Sequence, residues 1–135
     1  DVGLLRCLSG LSPKVILEGS RIFEEFKGAI TEQYVLQELN TIPHLQSNYY
    51  WTSQSKAEVD FLISEGLNVI PLECKAGYTM NAKSLKSYGE KYSPTMSLRT
   101  SLLPYERNEG VCNIPLYILF AINNEIRTTE EIHNH

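Results

Sequence analysis

No Cys-x-x-Cys pair occurs in the chain. Its cysteines, Cys7, Cys74 and Cys112, stand far apart, which excludes a zinc ribbon or a local disulfide framework. They read as small core residues in a reducing compartment. No apolar run approaches the ~18 residues a membrane span needs, and no secretory-signal pattern stands out, so the expectation is a cytoplasmic protein without membrane contact. There is no G-x-x-x-x-G-K-[ST] loop, so any ATP hydrolysis belongs to a segment outside this sequence. Internal repeats and low-complexity linkers are missing too. Net positive charge is also lacking: 12 Lys and Arg stand against 16 Asp and Glu, for a formal charge of -4. Stand-alone DNA binders are usually basic, because phosphate neutralisation supplies much of their affinity. This counts against a tight autonomous grip on DNA but not against a nuclease, whose metal site concentrates carboxylates. The closing His-Asn-His, with His133 and His135, is not the spread-out HNH nuclease constellation and reads as a frayed terminus. His44 falls in a loop.

What is present suffices for one domain with a core: 135 residues, 42% hydrophobic and 21% charged. The first residue is Asp, so a piece of a longer polypeptide is expected. The informative stretch runs from Glu58 to Lys75, EVDFLISEGLNVIPLECK. It predicts a β-hairpin closed at Gly66-Leu67 by a type II′ turn, which wants Gly at its first central position. That register puts Asp60 opposite Glu73 and Glu58 opposite Lys75. Alternation then gives one apolar face, with Val59, Phe61, Ile63, Ile70, Leu72 and Cys74, and one polar face, with Glu58, Asp60, Leu62, Pro71, Glu73 and Lys75. Directly opposed Cβ atoms lie about 4.5–5.5 Å apart, and like charges there are destabilising. A hard divalent cation, which binds carboxylate oxygens at about 2.0–2.6 Å, gives Asp60 and Glu73 a reason to coexist. The plainer reading is a solvated polar face with an incidental ion pair.

Around the hairpin, Ser12-Pro13 reads as the start of a short helix. Residues 21–40 predict a main helix, or a pair divided at Gly28. In it Ala29, Val35, Leu36 and Leu39 share one arc with Glu32 at its centre. A carboxylate on an apolar stripe is costly to bury unpaired; Arg21 is its candidate local partner. Tyr49 to Ser53 predicts a strand, with Trp51 in the core rather than stacking on a base. Lys56 and Glu58 edge the hairpin's polar end. Asn81 caps a helix over about 82–92, with Leu85, Tyr88 and Tyr92 toward the sheet and Lys83, Lys86 and Lys91 solvated. Residues 95–101 predict a strand parallel to the second hairpin strand after a helical crossover. Residues 103–113 read as a polar loop, 114–116 as a short apolar element, 117–122 as a last helix or strand, and 123–135 as a solvated tail.

Asp60, followed after twelve residues by Glu73-Cys74-Lys75, resembles the PD-(D/E)XK nuclease signature. KGAITEQYVLQEL, YYWTSQSKAEVDFLI, IPLECKAG and SLKSYGEKYSP resemble an uncharacterised domain that follows an AAA-type ATPase module in bacterial and archaeal proteins. The resemblance covers roughly residues 1–120. It implies an α/β fold with a restriction-endonuclease-like core, a small central mixed β-sheet flanked by helices. It favours helix for residues 117–122. It also implies a metal-dependent nuclease. Asp60, Glu73 and the carbonyl of Cys74 would hold Mg2+ or Mn2+, Glu32 would be a further ligand, direct or through water, and Lys75 would activate the attacking water or steady the developing charge. The expected domain spans residues 1–122. Its expected partners are nucleic acid, DNA first, and the ATPase module of the same polypeptide. The rival from another class is a catalytically silent regulatory or interaction module of that ATPase. Oligomeric state is not legible.

Overall fold

The computed structural model describes residues 21–53, 57–78, 81–108 and 110–133. The expected helix at Ser12, the side chain of Arg21 and Lys56 lie outside what is described. Helix α1 runs unbroken through Gly28 as Arg21–Asn40. Strand β1 is Gln46–Thr52, β2 Glu58–Glu65 and β3 Asn68–Cys74. Helix α2, Lys83–Tyr92, leads to β4, Ser97–Ser101. Then come β5, Glu106–Asn108, β6, Val111–Pro115, a 3-10 segment, Leu116–Ala121, and helix α3, Ile122–His133. The six strands form one mixed sheet in the order β1-β2-β3-β4-β6-β5. It is an α/β fold with a central mixed sheet flanked by helices, as the sequence led us to expect.

The hairpin has the expected register. Phe61 faces Leu72, Leu62 faces Pro71, and Glu65 faces Asn68. Gly66 has φ +57 and Leu67 is not among the residues with positive φ, the pattern of a type II′ turn. β4 runs parallel to β3 after the α2 crossover, as predicted. Asn81 stands one position before the cap residue Ala82, and its Oδ1 accepts the Lys83 N–H at 3.2 Å.

The sheet is covered on both faces. The main core joins Val35 and Leu39 of α1 and Ile122 and Ile126 of α3 to Phe61, Ile63, Ile70, Leu72, Leu98 and Ile114 of the sheet. A smaller core under α2 joins Leu85 and Tyr88 to Val59. Trp51 packs here, edge-on to Tyr88 at 5.3 Å between centroids, and its Nε1 donates to the Tyr92 hydroxyl at 3.3 Å. Tyr92 is half exposed, and Lys83, Lys86 and Lys91 are solvated.

Four expectations are corrected. Val59 does not share the core of Phe61. Between the pairs Trp51–Val59 and Tyr49–Leu62, β1 advances two residues and β2 three. The extra residue is a bulge at Asp60–Phe61, which resets the alternation. Residues 103–113 are no plain loop but contain β5 and the start of β6, whose polar Asn113 is satisfied inside the fold. Ile114-Pro115-Leu116 is divided between β6 and the 3-10 segment. The solvated tail is helix α3 through His133, because Ile122 and Ile126, one turn apart, are fully buried.

Helix α3 is also tied down by polar contacts. Glu125 accepts from Arg107 and from the Tyr105 hydroxyl, and the Cys112 thiol lies 3.4 Å from it. His44 Nε2 lies 2.7 Å from Asn123 Oδ1. Truncating Ile126 to Ala should therefore destabilise the domain by about 2–5 kcal/mol, whereas exposed Arg127 to Ala should stay within about 0.5 kcal/mol. Urea unfolding of both variants checks this; equal effects would mean that α3 is not docked.

Candidate functional site

The last ladder pair of the hairpin is Phe61 with Leu72. One step further, at Asp60 and Glu73, the backbones have parted. The bulge turns Asp60, and its Oδ2 accepts the Cys74 N–H at 2.6 Å. On the other side of β3 the Lys75 N–H donates to the Thr100 carbonyl at 2.8 Å, so the end of β3 is held from both flanks.

Glu73 alternates with Leu72 and Cys74 of the main core and so projects on the α2 face. It is 3% exposed. Its Oε1 is 2.9 Å from Lys75 Nζ. Its Oε2 is buried and has no hydrogen-bond partner among the described residues. Lys75 thus pairs with Glu73, two positions away on the same face of the strand; Glu58, which the hairpin register put opposite Lys75, stands opposite Thr52 on β1 and is exposed.

Asp60 opens on the α1 side into a cleft of ≈ 460 Å3, walled by Glu32 and Gln33 of α1, Tyr50 and Thr52 of β1, and Glu58 of β2. Glu32 was expected in the middle of a buried stripe. It is exposed at the cleft mouth, as is Ala29, and the stripe meets the sheet only from Val35 onward. The fold therefore brings Glu32, Asp60, Glu73 and Lys75 to one end of β3, with Glu73 reaching it from the opposite face.

The electrostatics follow from that crowding. Burial raises the pKa of Asp60 above the usual carboxylate value, against the lowering effects of the Cys74 N–H and Lys75. Burial raises Glu73 as well; the Lys75 contact opposes it and the charge of Asp60 adds to it. Glu32 is raised by desolvation and then by Asp60. The Cys74 thiol is pushed well up by burial and by the three carboxylates, so it is no nucleophile at neutral pH.

Among the described residues no three His, Cys, Asp or Glu side chains converge as a metal cage. Two carboxylates with an unpartnered oxygen suit a more open arrangement. Mg2+ commonly takes one or two carboxylates and fills its other positions with water and phosphate oxygens. Asp60 and Glu73 fit that role, and the Cys74 carbonyl leaves β3 on the same edge as its N–H. One residue near the site escaped the sequence reading: Arg99 of β4, buried and in register with Glu73. Only the Ser-Leu-Arg-Thr-Ser pattern, a cation inside a strand, hinted at it.

A carboxyl group whose pKa is raised by folding binds its proton more tightly in the folded state. Metal-free stability should therefore fall as pH rises from the ordinary values of 3.8 and 4.5 through the raised ones. Asp60→Asn keeps an oxygen for the Cys74 N–H and should flatten part of this slope while leaving the fold intact. Thermal melts in chelator across that range measure it; an Asp60→Asn slope equal to the wild type would contradict the assignment.

Comparison with curated proteins gives no match. Residues 27–119 match the family described as Domain of unknown function (DUF4143). The matched span holds Glu32, Asp60, Glu73 and Lys75 and more than half of the sequence, and on that ground the chain belongs to the DUF4143 family.

Proposed function

We propose that this domain hydrolyses phosphodiester bonds in nucleic acid, DNA first, with Mg2+ or Mn2+. The observation that carries the reading is the buried, unpartnered Oε2 of Glu73 beside a second carboxylate, Asp60, that lines a cleft. Asp60, Glu73 and the Cys74 carbonyl would hold the ion, with Glu32 acting through water from the cleft mouth. A bound ion of this kind supplies a Lewis acid and a water of lowered pKa.

The side chains have separable tasks. Asp60 bonds the Cys74 amide through one oxygen, which leaves its other oxygen for a metal ion. Lys75 is 35% exposed while its ammonium touches Glu73. It can hold a water or steady negative charge on a phosphate oxygen without leaving its partner far behind. The resemblance to domains that follow an AAA-type ATPase supports a partner module in the same polypeptide and a cytoplasmic setting. Such a module would supply the cationic grip that a chain of charge -4 lacks.

A rival reading, a catalytically silent regulatory or interaction module, draws on the lack of a convergent three-ligand cluster among the described residues. The two readings part on cleavage and on metal-linked stability. With Mn2+ or Mg2+, labelled single- or double-stranded DNA or RNA should be cut. Asp60→Asn and Lys75→Ala should each lose about 100-fold or more in rate while remaining folded. Mn2+ at a hundredfold excess over its Kd should raise the wild-type Tm by roughly 5–10 °C. No cleavage and no shift, with the fold intact, would favour the silent module.

A further inference from the structure

Three polar side chains cross the sheet in one row. Glu73 of β3 is in register with Arg99 of β4, and Arg99 with Asn113 of β6. Their exposures are 3%, 5% and 1%. Alternation puts all three on the α2 face, because their strand neighbours Leu72, Cys74, Leu98, Cys112 and Ile114 belong to the main core.

Asn113 is fully used. Its Oδ1 accepts from Arg99 Nε at 3.0 Å and from Ser101 Oγ at 2.8 Å. Its Nδ2 donates to the carbonyls of Leu103 and Pro104. Arg99 is therefore held by an amide that the β4–β5 connection itself fixes. From there it stands in register with Glu73 on the same face of the sheet; burial raises the pKa of the Glu73 carboxyl, and the charge of Arg99 adds to the larger opposing influence of Lys75. A carboxylate this buried is costly without a fixed counter-charge. Lys75 offers one, but it is a third exposed and sits on a flexible stem. Arg99 is the one anchored inside the sheet.

We infer that Arg99 is a positioning residue of the carboxylate site, a built-in counter-ion anchored in register with Glu73 that steadies its side chain before any metal or substrate arrives. The inference deepens the nuclease reading and rests on it for its purpose, but the Arg99–Glu73 coupling can be measured without catalysis.

The test is a double-mutant cycle of the full chain by thermal melting at pH 7 in chelator, with Arg99→Met, Arg99→Lys, Glu73→Gln and the pair Glu73→Gln/Arg99→Met. Arg99→Met should lower Tm by roughly 10–20 °C. Arg99→Lys should recover half of that loss or more. The pair should melt above Arg99→Met alone, since without the carboxylate no counter-ion is required. Additive losses, or Arg99→Lys melting no higher than Arg99→Met, would overturn the inference. If Arg99→Met is insoluble, the pair decides: folded supports the counter-ion, insoluble refutes it. A coupled cycle without wild-type cleavage leaves the counter-ion standing and removes the nuclease reading. Wild-type cleavage with an additive cycle does the reverse.

Discussion

A single hydrogen bond, from the Cys74 amide to Asp60 Oδ2, does at the end of β3 what a backbone carbonyl does along the rest of the ladder. Where β2 departs after Phe61, the edge of β3 would otherwise keep a part-buried amide without an acceptor, and such orphans cost on the order of 1–3 kcal/mol. A side-chain acceptor is needed at that position, and the bulge swings one into place. Because a carboxylate has two oxygens, meeting this structural need leaves one free. The acidic site is thus a by-product of how the sheet ends, and the crowding of Glu32 and Glu73 follows from what packs around that end.

Much of this was legible. The Gly66 turn fixed the register of the hairpin, and the register fixed which residues meet near Asp60 and Glu73. The parallel β4 followed from the helical crossover that precedes it. The illegible parts share a cause, which is polarity satisfied by tertiary partners. Asn113 is buried in the sheet, yet in a one-dimensional reading it is the mark of a loop; Ser97, Arg99 and Ser101 fell in a predicted strand, but their letters did not show that these polar groups are buried. The bulge was invisible, since one extra residue leaves no trace in the letters while shifting Val59 to the opposite core. Among the described side chains of helix α3, Ile122 and Ile126 form the buried stripe, and Glu125 and Asn123, polar residues that read as tail, add further anchorage. Glu32 failed differently: Val35 and Leu39 of its stripe are buried, but Ala29 and Glu32, nearer the start of that stripe, are exposed.

The two faces divide the labour. The α1 and α3 face carries the continuous apolar core and with it most of the hydrophobic stabilisation. The α2 face has a small aromatic cluster of Trp51, Tyr88 and Tyr92 beside a row of buried polar groups. A thin apolar cover over charged groups keeps the local dielectric low, which strengthens their mutual interactions and makes each unpaired charge more costly. The site lies where these two environments meet, at the strand end that neither face closes.

The register between Glu73 and Arg99 also bears on how the chain folds. Asp60, Glu73 and Lys75 sit within one hairpin of local contacts, the kind of unit that forms in about 1–10 μs. Arg99 comes into register with Glu73 only when the α2 crossover closes and β4 docks in parallel, a non-local and slower event. Until then nothing covers that face, so Glu73 stays hydrated. The step that buries the carboxylate is the same step that brings up Arg99 beside the Lys75 contact within the hairpin, and the chain need not pass through a state in which the charge is buried alone.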